Sequence, residues 1–141
     1  MEPREVQGRT APSSLQETPS LVLIDTTQLA LERSISGAAQ RHEALAANLA
    51  NASTPGYRRV DVDFHGALAA ALGTGDKSAV EHTAFTTQAD ASVGVTQADG
   101  NSIDVDNESA KLAANALEQQ AAVQVAHARI GILKAAMGTG T

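Results

Sequence analysis

The sequence predicts a mainly α-helical chain: long N- and C-terminal helices packing as a coiled coil, joined by a flexible, partly extended or β middle segment. Three observations carry this. A 3.5-residue apolar repeat runs through a stretch near each end of the chain. Aromatic residues are only Tyr57, Phe64 and Phe85, against 28 alanines in 141 residues, which suits close helix packing better than a thick core. Glycines and acids collect between the two ends.

Residues 1–20 are polar and carry Pro3, Pro12 and Pro19, so they read as a disordered arm. They lack the basic start and apolar centre of a secretory signal. Residues 21–52 form the N-terminal helix. Ile24, Gln28, Leu31, Ile35, Ala38, His42, Leu45 and Leu49 fall alternately four and three apart, on one face, with Asp25 or Thr26 available to cap the start. Residues 53–106 are a turn, extended pieces and a flexible acidic middle. Tyr57–Phe64 and Ile103–Val105 alternate like strands, Ala67–Leu72 has room for a short helix, and 73–100 is small, polar and acidic.

Residues 107–137 repeat the helical pattern through Leu112, Ala116, Gln119, Val123, Ala126, Ile130, Leu133 and Met137. Asp106 is the candidate cap, Glu108 sits where it favours the helix dipole, and Gly138 and Gly140 break the helix into a short tail, 138–141. Each helix would be about 45 Å long at 1.5 Å per residue. Neither can bury its stripe alone. The stripes therefore meet each other or the helices of neighbouring chains, with Leu31, Ile35, Leu45, Leu49, Leu112, Val123, Ile130, Leu133 and Met137 as the packing residues.

Charge and composition exclude several functions. Net charge is -6, and residues 61–106 hold eight acids against Lys77 alone, which argues against nucleic acid as a partner. Without cysteine there is no disulfide, thiolate metal site or cysteine nucleophile. The apolar run Leu21–Ile24 is far short of the roughly 20 residues of a membrane span, so no direct membrane insertion is expected. Gly73–Ser78 fails as a phosphate loop because Asp76 precedes the lysine. Asp99–Glu108 fails as a calcium loop because Asp104 stands where the turn demands glycine. Asp61, Asp63 and His65 alternate on one strand face, a spacing too common to indicate a metal. His42 reads as a helix-interface residue. No catalytic, cofactor-binding or metal residues are assigned.

The informative segment runs from Leu45 to Tyr57. Pro55 pushes Thr54 out of the helical region, and Thr54-Pro55-Gly56-Tyr57 fits a type II turn with Gly56 supplying the positive φ. Asn48 and Asn51 lie three apart on the last helical turn, where their amides can meet freed carbonyls or a neighbour's backbone.

At these residues the chain resembles the bacterial flagellar rod, hook and filament-axis family. The Ala50-Asn51-Ala52-Ser53-Thr54-Pro55-Gly56-Tyr57 run is similar to its long, specific signature. Arg41 with Leu45-Ala-Ala-Asn48-Leu-Ala-Asn51, Asp61-Val-Asp63-Phe64, and Asp99-Gly-Asn-Ser-Ile-Asp104-Val-Asp106 resemble the short proximal-rod members. The resemblance covers roughly residues 21–138. It implies a non-enzymatic structural subunit without cofactors, exported by the flagellar type III apparatus and assembled through its terminal helices into the proximal rod in the periplasmic space. Its partners would be other rod subunits, further copies of itself, and the junction with the basal-body rings and export gate. Asn48, Asn51, Thr54, Pro55, Gly56, Tyr57 and Phe64 carry the assembly motif. The alternative is a secreted helical adaptor of the same class; a metal-dependent enzyme ranks last.

Overall fold

A computed structural model describes residues 25–89 and 103–138. The expected arm at 1–20, residues 21–24 at the start of the expected N-terminal helix (Ile24 of its stripe among them), residues 90–102 of the middle and 139–141 of the tail lie outside them. The element order is α1 (Thr26–Ala50), β1 (Val60–Asp61), α2 (Phe64–Gly73), α3 (Lys77–Glu81), β2 (Gln88–Ala89) and α4 (Val105–Gly138). The fold is mainly helical, with a long helix toward each end and one short antiparallel strand pair between them. Among the described residues no helix is long and apolar enough to cross a membrane.

α1 starts at Asp25, whose side chain accepts from the Gln28 N–H at 2.9 Å and satisfies one of the four donors a helix start leaves open. α4 runs antiparallel to it. Asp25, at the start of α1, pairs with Arg129 near the end of α4, and Asn48, near the end of α1, reaches Glu108 in the first turns of α4. The start of α4 differs from the expected one. Asp104, not Asp106, caps it, accepting from the N–H groups of Asp106 and Asn107 at 3.1 Å. Val105 opens the helix instead of ending a strand, and Ile103 before it is buried.

The middle holds more regular structure than expected. Only Val60–Asp61 of the Tyr57–Phe64 stretch is strand, and its partner is Gln88–Ala89, with Val60 opposite Ala89. α2 begins at Phe64 because the Asp63 carboxylate caps it, accepting from the Gly66 N–H at 2.9 Å. Within 73–89, expected as a loose insertion, Asp76 caps α3 through the Ser78 N–H and Val80 is buried. Local capping by aspartate thus uses acids that composition alone presents as solvated charge.

The core is small. Ala38 and Ala44 of α1 pack with Val62 and Phe64, and Val60 and Phe85 close over them. The Phe64 and Phe85 rings meet edge-to-face at 6.1 Å. Phe64 fits because α1 has a glycine opposite it: a Cβ on Gly37 would lie 2.5 Å from the Phe64 Cβ. A glycine inside a helix costs about 1 kcal/mol relative to alanine, and here the cost admits the largest residue of the core.

The inward faces of the two helices overlap the expected stripes only in part: Ala38 and Leu45 on α1 and Leu112, Gln119, Ala126 and Leu133 on α4 belong to both. His42, expected at a helix interface, is exposed, whereas Leu29, Gly37, Ala44 and Asn48 are buried beside Ala38 and Leu45. On α4 the residues turned inward are Glu108, Leu112, Asn115, Gln119, Ala122, Ala126, Arg129 and Leu133, again alternately four and three apart. This face is turned by about 40°, at 100° per residue, from the expected one. Ile130 and Met137 are left 38% and 60% exposed on the single chain, and Val123 is half-buried.

Candidate functional site

The α1 exit is where three parts of the chain meet. Asn51 ends α1: its backbone N–H and its Nδ2 both donate to the Ala47 carbonyl, at 3.1 and 2.9 Å. The chain then folds through Thr54-Pro55-Gly56-Tyr57. The Tyr57 N–H donates to the Thr54 carbonyl at 3.2 Å and Gly56 has φ 73°, the two marks of a type II turn. Pro55 is trans. Thr54 also donates from Oγ1 to the Asn51 Oδ1 at 3.3 Å, tying turn to helix end.

The turn aims the following residues back along α1, and Asn48 receives them. Its Oδ1 accepts from the Val60 N–H at 2.9 Å and from the Tyr57 hydroxyl at 3.4 Å. Its Nδ2 donates to the Val60 carbonyl at 2.7 Å and to the Glu108 carboxylate at 2.9 Å. Every donor and acceptor of this amide is used, and the residue is fully buried. The amide does for Val60 what a neighbouring strand would do. In an antiparallel strand one residue directs its N–H and C=O to the same side. Val60 gives that side to Asn48, so β2 bonds through Asp61 opposite Gln88.

An ion network extends from this amide. Glu108, 2% exposed, also binds Arg59, and Lys111 approaches it at 3.7 Å. Arg59 lies 3.6 Å from Asp61, which takes the Arg41 guanidinium side-on at 2.9 and 3.1 Å. This paired geometry is the strong form of an arginine–carboxylate contact. The bond to Asp61 raises Arg41 above its ordinary pKa against the opposing effect of burial. The cluster links α1, the extended segment and α4. At the other end of the pair, the Gln28 N–H and then Arg129 hold the Asp25 carboxyl below its usual value.

A cleft of 430 Å³ opens beside this network, lined by Arg41, Asp61, Val62, Asp63, His65, Gln88 and Ala89. Its charged groups are engaged: Asp61 with Arg41, Asp63 as the α2 cap, His65 with Glu118. Asp61, Asp63 and His65 thus line one cleft but have three separate partners. Among the described residues no three His, Asp or Glu side chains are placed to hold a metal ion.

Of the motif residues singled out from the sequence, the exit brings together Asn48, Asn51, Thr54 and Tyr57, with Gly56 at its turn, and places Phe64 in the core beneath it. Of the packing residues, Leu45 is buried and Leu31, Ile35, Leu49, Leu112, Val123 and Leu133 are half-buried. Sequence reasoning missed Gly37, Arg59 and Asn115, and read Glu108 as a helix-dipole residue and not as a buried partner of Asn48 and Arg59. A glycine inside a helical run was the available signal for the first. For Glu108 and Asn115 it was position: both lie on a 3.5-residue repeat one place over from the stripe that apolar residues suggest.

The family model of the flagella basal body rod protein matches residues 34–58, the last two thirds of α1 and the turn. The flagellar basal body rod protein FlgB of Aeromonas hydrophila is 37% identical over 112 residues, covering 70% of this chain and 83% of the relative. That of Escherichia coli K12 is 37% identical over 98 residues, covering 58% and 71%. That of Cereibacter sphaeroides ATCC 17023 is 34% identical over 107 residues, covering 70% and 84%. Identity of 34–37% over 70% of this chain and more than four fifths of the relatives' length assigns the protein: the chain belongs to the FlgB family of structural proteins of the flagellar basal body rod.

Proposed function

We propose that this chain is a non-catalytic axial building block of the proximal rod. It is delivered by the flagellar type III apparatus, stands beside other rod subunits and copies of itself between the basal-body rings and the export gate, and transmits torque for motility. The observation that carries this reading is the outer face of α4. Ala114, Leu117, Ala121, Val125, Ala128 and Ile132 recur at helical spacing with no charge among them, and all are exposed, Leu117 by 68% and Ile132 by 70%. Apolar area of this kind gains about 25 cal/mol per Å² when it leaves water, and a neighbouring subunit is the surface that covers it. Ile130 and Met137, 38% and 60% exposed, lie on the opposite side of α4 and would meet a different neighbour. Leu31, Ile35, Leu45, Leu49, Leu112, Val123 and Leu133 hold α1 and α4 together, and the exit motif from Asn48 to Tyr57, with Phe64, fixes how the middle segment meets the next subunit.

The test is a deletion strain complemented with the chain, scored by swimming and by electron microscopy of isolated basal bodies. Loss of the rod and of motility, both restored by the complementing copy, is the expected result. A deletion strain with intact rods and normal swimming overturns the reading.

A further inference from the structure

The two faces of α4 are assigned against their hydrophobicity. The wholly apolar stripe through Leu117, Val125 and Ile132 faces outward, while half of the residues turned toward α1 are polar: Glu108, Asn115, Gln119 and Arg129. Apolar burial alone would roll α4 the other way. Three polar contacts to α1 oppose this, beside those that Glu108 makes to Arg59 and Glu118 to His65 in the middle segment. Arg129 pairs with Asp25, the Asn115 Nδ2 donates to the Ala38 carbonyl at 2.8 Å, and the Asn48 Nδ2 donates to Glu108 at 2.9 Å. On α1 successive contacts are 13 and 10 residues apart; on α4 they are 14 and 7 apart. A slip of α4 by one heptad breaks all three together.

Asn115 is the informative member. It is 2% exposed, and its Oδ1 has no hydrogen-bond partner among the described residues. A buried polar atom left unpaired is destabilising, so a leucine there would hold the pair more tightly. What an asparagine in a helical seam does supply is register, because only one alignment gives its amide a partner.

We infer that Asn115, with the Glu108–Asn48 and Arg129–Asp25 contacts, is a positioning device: it fixes the register and roll of α4 on α1 at a cost in stability, so that the apolar stripe stays turned outward. This rests on the rod reading only for what the outward stripe is used for; the roll itself is a property of the single chain.

The chain contains no cysteine, so engineered pairs report the roll without background. Leu31 lies between Asp25 and Ala38 on α1, and Ala122 lies midway between Asn115 and Arg129 on α4. Leu31→Cys is combined with Ala122→Cys, or with Ala121→Cys on the outward stripe, in the full chain under mild oxidation. With Asn115 present, the Ala122 pair should cross-link at least tenfold faster. Adding Asn115→Leu should bring the two rates within about twofold, while the thermal midpoint of the same variant without cysteines stays equal or rises. Gln119→Leu, a change of similar polarity on the same face, should leave the tenfold preference intact. A preference that survives Asn115→Leu overturns the inference. So does a midpoint that falls in that variant, or a preference that Gln119→Leu also abolishes. Cross-linking reads the isolated chain, so a failure of the rod reading in the deletion strain leaves this result standing.

Discussion

Asn48 and Gly37 show how much of this molecule depends on single side chains. Asn48→Asp keeps the shape of the residue, but removes the Nδ2 donor from Val60 and Glu108 and sets two carboxylates against each other in a buried position. Breaking a buried charged contact from one side costs about 3–5 kcal/mol. The variant should therefore lose cooperative unfolding in urea while Asn51→Ala, which loses a helix-end bond, retains it. Equal midpoints for the two would mean that Asn48 is not the hub of the exit. Gly37→Ala tests the core from the other side. Alanine gains about 1 kcal/mol in helix propensity, but its Cβ would lie 2.5–2.7 Å from three Phe64 atoms. Overpacking of that kind costs about 1–3 kcal/mol. The net expectation is a lower urea midpoint; a higher one would show that the Phe64 ring gives way freely.

At the scale of elements, the turn after α1 decides where the middle segment goes. Gly56 has φ 73°, and no atom lies within 4 Å of the Cβ it lacks, so a substitution there meets only the backbone penalty. For a β-branched residue this is about 1–2 kcal/mol in a left-handed conformation. Gly56→Val should shrink motility halos more than Asn51→Ala, and Asn51→Ala more than Ser53→Ala. Ser53 is an exposed side chain whose loss should stay within about 0.5 kcal/mol. Normal swimming of the Gly56→Val strain would mean that the exit direction does not matter to the assembled protein. The turn was legible in the sequence because Pro and Gly act through their own backbone. α2 and α3 were less so. Their starts depend on Asp63 and Asp76 as caps, and an acid in a polar stretch reads equally well as solvated charge until the chain direction around it is known.

For the whole molecule, the 3.5-residue repeat identified two long helices because periodicity follows from helix geometry alone. Which way each helix faces did not follow. Counting apolar residues on α4 favours stripes that leave Asn115 and Glu108 outside, whereas the structure buries both, because Ala38, Asn48 and Arg59 supply their partners from elsewhere in the chain. The distinction between the inward seam and the outward stripe can be tested by placing the same charge on each. Leu45 is fully buried and Ile132 is 70% exposed. Leu45→Asp puts a carboxylate where desolvation costs several kcal/mol with no partner, so the isolated chain should lose helicity by circular dichroism and its strain should not swim. Ile132→Asp faces water in the isolated chain, so its thermal melt should match that of the unsubstituted protein to within about 0.5 kcal/mol. Its strain should still fail to swim, because the charge would have to enter the contact with the next subunit. If Ile132→Asp melts as early as Leu45→Asp, the outward stripe belongs to the chain's own core. If it melts normally and the strain swims normally, the stripe is not the surface through which the rod is built.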